Sequence, residues 1–93
     1  IYHLLNKKKN LGYLHFGINN VIDITSLSGL TNLKYLYIYR NQIDDISALV
    51  DNPGINSGDQ VFVDQNNLDL TVGSDDMNDI KTLEDRGVYV DYD

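Results

Sequence analysis

Aromatic residues have the clearest chemical potential in this chain. Seven tyrosines, two phenylalanines and two histidines occur among 93 residues, and many of them fall in short segments near residues 13, 35, 60 and 89. Aromatic side chains give large contact areas at low entropic cost and are enriched where proteins bind one another. The pattern predicts recognition rather than bond making.

Candidates for catalysis are few. The chain has no cysteine, so a catalytic nucleophile would have to be a serine or threonine activated by a histidine base. No serine is expected near His15. Asp64 and Asp91 are expected at the edge of one face, but exposed carboxylates lack the burial that tunes a general acid. We therefore predict that the chain is not an enzyme and takes no cofactor.

Acidic residues raise the question of a metal site. Asp76, Asn78 and Ile80 begin the spacing of an EF-hand calcium loop, but the required glycine and terminal glutamate are missing. The absence of cysteine also excludes a Cys-ligated zinc or iron–sulfur site. No dedicated metal site is predicted.

The charge balance argues against polyanionic partners. Seven Lys and Arg against fourteen Asp and Glu give a net charge of -7 at pH 7, so nucleic acid and anionic lipid would be repelled. We interpret Lys7, Lys8 and Lys9 as a solvated turn. No apolar run reaches the length of about 18 residues that crosses a bilayer. Neither nucleic-acid binding nor membrane insertion is predicted.

An internal repeat indicates the elements that carry the aromatic residues. Shifted by 22 positions, residues 10–27 are identical at eight of eighteen positions, where average residue usage gives about one. In the clearest unit, residues 30–51, Leu36 and Ile38 are two apart and share one face of a predicted strand. The tyrosines of that segment share the other face. Because one coil cannot bury its own apolar side, stacked coils must bury each other's.

This unit resembles the 22-residue leucine-rich repeat of bacterial internalin-like proteins. The matching positions are Leu30, Leu33, Leu36, Ile38, Asn41, Ile43, Asp45, Ile46 and Leu49. The turn-rich residues 51–59, followed by a strand, an asparagine turn, a helix and an Arg-Gly-Val strand, resemble the C-terminal end of such an array. The resemblance implies an α/β solenoid with a short parallel concave sheet, a 3₁₀ or irregular convex side, and a C-terminal capping helix and strand.

The repeat defines a single leucine-rich-repeat domain over residues 1–93. Its predicted parts are a partial coil at 1–7, repeats at 8–29, 30–51 and 52–73, and a cap at 74–93. The partial coil and the missing initiator methionine suggest a fragment or a processed product.

Two local features are expected to shape the coils and the cap. Asn19, Asn41 and Asn66 recur just after the strands, where they are expected to form a ladder that satisfies backbone groups. Ser74 is a predicted helix N-cap, and Gly87 is expected to adopt the left-handed conformation at the helix end.

Outward residues of successive strands are expected to form columns on the concave face. The first predicted column holds His15, Tyr37, Phe62 and Tyr89, the second Tyr13, Tyr35 and Gln60, and the third Gly17, Tyr39, Asp64 and Asp91. Arg40 and Gln65 extend the edge. The predicted binding residues are Tyr13, His15, Tyr35, Tyr37, Tyr39, Arg40, Gln60, Phe62, Asp64 and Tyr89.

Two functional hypotheses follow. The first is a non-catalytic protein-interaction module that binds a partner on the concave aromatic face, with a carbohydrate as the alternative ligand. The second is a structural cap or spacer of a larger protein, in which the aromatic residues serve only as good strand formers and cross-strand neighbours.

Size and context qualify both hypotheses. Four strands about 4.8 Å apart make a sheet roughly 20 Å wide, which offers less than the roughly 800 Å² that a partner usually contributes to a stable interface. Further N-terminal coils would complete the surface. Without them, the edge strand around Tyr13 is expected to allow self-association. The resemblance implies an extracellular or cell-surface location, with the cytoplasm as the alternative.

Overall fold

Four short strands and three short helices alternate along residues 10–93, the part of the chain that the computed structural model describes. The elements are β1 (Tyr13–His15), a 3₁₀ helix (Thr25–Gly29), β2 (Tyr35–Tyr37), α1 (Ser47–Val50), β3 (Gln60–Phe62), α2 (Asp75–Asp85) and β4 (Tyr89–Asp91). All strand pairs are parallel and the strands lie in chain order. Each crossover therefore advances the chain by one strand, as in a solenoid.

The register of the first three strands follows the repeat. Leu36 pairs with Leu14 on one side and with Val61 on the other. The step from β1 to β2 is the 22-residue period, and the longer step to β3 absorbs the turn-rich residues 51–59. The predicted alignment of these three coils is confirmed.

The predicted register of β4 is wrong by two residues. Tyr89 pairs with Gln60, and Asp91 pairs with Phe62. Tyr89 therefore belongs to the column of Tyr13 and Tyr35, and Asp91 takes the place predicted for Tyr89. A shift of two keeps the same side of a strand inward, so hydrophobic alternation cannot distinguish the two registers.

The short connection between α2 and β4 sets this register. Gly87 has a φ of 91°, a left-handed conformation that glycine adopts without a steric penalty. The Val88 amide then donates to the Leu83 carbonyl at 3.1 Å, and the Tyr89 amide donates to the Asp59 carbonyl at 2.9 Å. The chain thus enters the sheet directly after the helix and buries Val88 and Val90.

The core lies between the sheet and the return segments on the convex side. Its residues come from every coil and from the cap helix, and most are almost fully buried: Ile24, Leu27, Leu30, Leu33, Leu36, Ile38, Ile43, Ile46, Leu49, Ile55, Val61, Val63, Ile80, Leu83, Val88 and Val90. Burying one such side chain contributes about 1.5–3 kcal/mol. Contacts between neighbouring coils therefore hold the fold together, as the repeat predicts.

The convex side carries the expected 3₁₀ helix and irregular segments, together with the single α-helical turn α1. An aspartate precedes each return segment and accepts a hydrogen bond from the amide two residues later: Asp23 from Thr25 at 2.9 Å, Asp45 from Ser47 at 2.8 Å, and Asp69 from Thr71 at 3.0 Å. Such turns satisfy amides at the start of a helical segment. The third return segment is irregular up to the start of α2 at Asp75 and leaves Val72 fully exposed.

The asparagine ladder is confirmed. The Asn41 side chain donates to the carbonyls of Phe16, Ile38 and Tyr39 and accepts from the Val21 amide. Asn66 repeats the arrangement one coil later, where its side-chain oxygen accepts from the amides of Asn41 and Ile43. Asn19 donates to the carbonyls of Phe16 and Gly17. Each asparagine after the first thus bridges two coils.

The cap helix begins and ends as predicted. The Ser74 hydroxyl accepts a hydrogen bond from the Met77 amide at 3.1 Å, and Asp75 and Asp76 lie in the first turn. At the other end, the Arg86 guanidinium donates to the Val50 carbonyl at 2.6 Å. This bond ties the cap to the preceding coil across 36 residues of sequence.

Candidate functional site

The outward face of the sheet carries a stack of three rings, His15, Tyr37 and Phe62. The centroids of Tyr37 and Phe62 are 4.6 Å apart with ring planes 5° from parallel. His15 stacks on the other side of Tyr37 at 5.5 Å and 26°. The parallel register places these residues directly beside one another on adjacent strands. We call these three residues the ring stack.

More exposed tyrosines flank the ring stack. The Tyr13 ring lies 5.4 Å from Tyr37 and 6.4 Å from Tyr35. At the other end, Tyr89 lies 5.6 Å from Phe62 despite the corrected register, because a ring reaches its diagonal neighbour. Tyr13, Tyr35 and Tyr89 are 57%, 43% and 56% exposed. Their exposure leaves a large aromatic surface open to solvent.

Tyr39 lies next to His15 on the outward face of the sheet and contacts it. Its hydroxyl lies 3.3 Å from His15 Nε2, and its ring meets the histidine edge-on at 5.5 Å. The ring packs over the backbone of Gly17, where an added Cβ would lie only 2.7 Å from the tyrosine carbon Cζ. A side chain at residue 17 would therefore displace Tyr39. The sequence placed both residues in one column but did not indicate this dependence.

A shallow depression of about 490 Å³ lies at the centre of the face. Its lining comprises Tyr13, His15, Tyr37, Tyr39, Phe62 and Asp64. Six of the ten predicted binding residues therefore meet in one place. Small-molecule sites usually enclose most of their ligand, whereas this surface is open. Its form suits the surface of a larger partner.

The remaining predicted residues lie around this centre. Gln60 is half-buried beside Tyr35 in the sheet. Arg40 and Gln65 follow β2 and β3, and Arg40 Nε donates to Gln65 Oε1 at 2.8 Å. Both have left-handed backbone angles, with φ of 55° and 57°. Asp91, which was predicted at the edge with Asp64, instead extends the ring-stack column.

Buried polar residues that support the strands were not predicted. Asn52 is fully buried and donates to the carbonyls of Leu27 and Leu30, both at 2.9 Å. Asp59, also buried, accepts from the Asn56 amide at 3.0 Å and lies 3.9 Å from Lys34 Nζ. Both residues lie in the turn-rich segment before β3, whose unusual density of turn formers was the available signal.

Carboxylates gather on the convex side, away from the rings. Those of Asp44, Asp45, Asp69, Asp75, Asp76 and Asp79 line one depression. Partial burial, followed by the charge of Asp45, raises the pKa of Asp79. The backbone hydrogen bond from Ser47 lowers the pKa of Asp45. Within residues 10–93, no group of three or more histidine or acidic side chains is arranged to hold a metal ion.

No helix in the described part of the chain has the length and hydrophobicity that crossing a bilayer requires.

Comparisons with known proteins agree with this architecture. The family model for Leucine Rich repeats (2 copies) matches residues 9–51. The crystal structure of an internalin (inlF) from Listeria monocytogenes superposes with a TM-score of 0.74 and 32% sequence identity, covering 95% of this chain and 24% of that one. An internalin C2 (inlC2) from the same species gives 0.73 and 29%, covering 96% of this chain and 35% of that one. A comparison with curated proteins gave no match.

The chain thus spans about a quarter to a third of the length of these solved structures. The likeness covers the sheet, the return segments and the cap together. The repeat pattern, the parallel sheet with its asparagine ladder, and the structural likeness all agree: the chain is a leucine-rich-repeat solenoid similar to the internalins of Listeria monocytogenes.

Proposed function

We propose that the aromatic face of the sheet is a non-catalytic binding surface for a protein partner, centred on Tyr37 and Phe62. The main support for this proposal is that the ring stack and its exposed flanking tyrosines lie together on one open surface. Exposed apolar surface costs free energy in water, and aromatic residues dominate the energetics of protein interfaces. Leucine-rich-repeat proteins of this kind are generally interaction modules.

At Tyr37, the centre of the face, the ring geometry favours a protein over a carbohydrate. A sugar that stacks on an aromatic side chain needs an open ring face. Tyr37 has His15 on one side and Phe62 on the other, both in stacked orientation, so its faces are covered. The edge of the Tyr37 ring and its hydroxyl remain for contact. Edges carry the positive part of the ring quadrupole and suit carbonyl groups, carboxylates and the faces of other aromatic rings.

Location and extent form part of this proposal. The likeness to internalins supports action outside the bacterial cell or at its surface. The proposed binding surface belongs to residues 10–93. We divide the domain into repeats at 8–29, 30–51 and 52–73 and a cap at 74–93. The partial coil proposed at residues 1–7 and the lysines that follow it lie outside the described residues.

The experiment compares two double variants of the chain on an array of purified extracellular protein domains. Tyr37→Ala with Phe62→Ala removes the centre of the face. Ile22→Ala with Val72→Ala removes exposed apolar surface elsewhere, since these residues are 54% and 101% exposed. Circular dichroism verifies that both variants remain folded.

We call the Tyr37→Ala, Phe62→Ala protein the ring variant. Proteins on the array that bind the unaltered chain should bind the ring variant at least about tenfold more weakly, because central aromatic residues each contribute about 2 kcal/mol or more. The control variant should keep its partners. If the ring variant binds every partner as tightly as the unaltered chain does, the surface has no recognition role, and the cap or spacer hypothesis takes its place.

A further inference from the structure

Arg40 is held in a defined position at the rim of the aromatic face. It follows Tyr39 directly, and its backbone is fixed in the left-handed region at a φ of 55°. Its amide donates to the Asp64 carbonyl at 3.0 Å, and its side-chain Nε donates to Gln65 Oε1 at 2.8 Å. An exposed arginine with both its backbone and its Nε engaged loses less entropy on binding than a free one.

The two terminal nitrogens of Arg40 remain available. Within residues 10–93, neither makes a hydrogen bond, and the one ion pair joins Lys34 to Asp59 instead. The neighbouring Asp64 therefore forms no ion pair with the guanidinium. Two parallel N–H groups of a guanidinium match the two oxygens of a carboxylate or phosphate.

The other basic residues of the described part are placed differently. Lys34 lies before β2, at the opposite end from Arg40, and reaches Asp59. Arg86 donates to the Val50 carbonyl, and Lys81 lies on α2. Arg40 is thus the one basic side chain of residues 10–93 that follows a strand at this rim.

The surrounding charge selects between possible anions. With a net charge of -7 at pH 7, the protein repels polyanions such as nucleic acid or an anionic bilayer. A single fork on the residue that directly follows Tyr39 fits a single carboxylate that is attached to an apolar surface. A glutamate or aspartate side chain of a protein partner has this chemistry.

We propose that Arg40 determines the specificity of the aromatic face by pairing with a carboxylate side chain of the protein partner, while the rings contact an adjacent apolar residue. Gln65 is a positioning residue, because it acts through Arg40 Nε. This inference rests on the proposed function and adds to it the chemical class of the partner's anchor.

The test uses a library of random twelve-residue peptides selected on the full chain, with peptides that also bind the Tyr37→Ala, Phe62→Ala variant removed. The peptides that remain should contain an aromatic or aliphatic residue near an aspartate or glutamate. Each selected peptide is then synthesised in a second form with the acidic residue replaced by its amide. Affinities of both forms are measured for the unaltered chain and for Arg40→Gln, Gln65→Ala and Lys34→Gln.

The unaltered chain should bind the acidic form about tenfold more tightly than the amide form, as expected for a charge-assisted pair. Arg40→Gln should abolish that difference while leaving affinity for the amide form nearly unchanged. Gln65→Ala should reduce the difference without abolishing it. Lys34→Gln should preserve it.

The outcomes separate this inference from the proposed function. Selected peptides that need Tyr37 and Phe62 but bind equally in acidic and amide forms would contradict the role of Arg40 and leave the aromatic surface in place. If Arg40→Gln still binds the acidic form more tightly than the amide form, the role of Arg40 is likewise contradicted. If no peptide depends on the ring variant, the proposed function fails, and the role of Arg40 fails with it.

Discussion

Tyr37 and Phe62, on adjacent parallel strands, stack with ring centroids 4.6 Å apart and ring planes 5° from parallel. The separation is close to the usual spacing of about 4.8 Å between neighbouring strands. The sheet itself therefore brings the rings together. The Tyr37–Phe62 contact therefore both stabilises the sheet and shapes its outward surface.

The first prediction concerns the energy of this contact. A double-mutant cycle with Tyr37→Leu and Phe62→Leu should give a coupling free energy of about 0.5–1.5 kcal/mol, as measured for aromatic pairs. The measurement is urea denaturation of the four proteins. Tyr35 and Phe62 form no ring contact in residues 10–93, so the same cycle on that pair should give a smaller coupling. Equal couplings would show that the stack has no special energy.

The asparagine ladder should contribute strongly to stability. Asn41 is 7% exposed, and its amide group makes four hydrogen bonds to the backbone of two coils. Asn41→Ala leaves several of these groups without partners, which should lower the free energy of unfolding by at least about 2 kcal/mol. Asn19→Ala is the matched control, since Asn19 is exposed and donates two bonds. A loss no larger than that of the control would contradict the bridging role.

Replacing Ile18, whose backbone is left-handed, should stabilise the fold. Ile18 has a φ of 62° although it is β-branched, and its side chain is 63% exposed. Such a conformation costs about 1 kcal/mol or more, and asparagine tolerates it better. Ile18→Asn should therefore raise the free energy of unfolding by about 1 kcal/mol. Ile22→Asn, at a similarly exposed residue without a positive φ, should give no gain, and equal effects would exclude backbone strain as the cause.

The convex carboxylates predict a pH dependence. Burial and then the charges of Asp45, Asp76, Asp75 and Asp51 raise the pKa of Asp79 above its ordinary value of 3.8. The folded protein then binds the proton more tightly than the unfolded chain, so ionised Asp79 destabilises the fold at neutral pH. This penalty disappears as the pH falls through the folded pKa towards 3.8.

Asp79→Asn should therefore raise the free energy of unfolding at pH 7 by about 0.5 kcal/mol or less, because solvent screens a partly exposed charge. The gain should vanish at pH 3 and shrink in 1 M salt. Urea denaturation under the three conditions checks this. A gain that is the same at pH 3 would point to helix propensity instead of charge.

How far the sequence anticipates this structure depends on the repeat. Between β1 and β3, equivalent residues recur, so the partners of Leu36 and the asparagine ladder follow from spacing. No equivalent repeat carries the alignment past α2, and Val88 and Val90 fit the core in two registers that differ by two residues. The structure selects one through the left-handed turn at Gly87.

The contacts at the rim of the face were harder to anticipate. Gly17 supports Tyr39 through space, and Arg40 meets Gln65 across a step that is three residues longer than the repeat. Sequence alternation indicates which side chains point outward. It does not indicate which of them touch or which atoms remain free.

The location of a bound partner tests the central claim most directly. In an NMR titration with the tightest partner from the protein array, the ring resonances of Tyr37 and Phe62 should shift together with those of Tyr13 and Tyr39. Resonances of the convex side, including those of Val72, should stay unchanged. Shifts confined to the convex side or to α2, with the rings unaffected, would contradict the account.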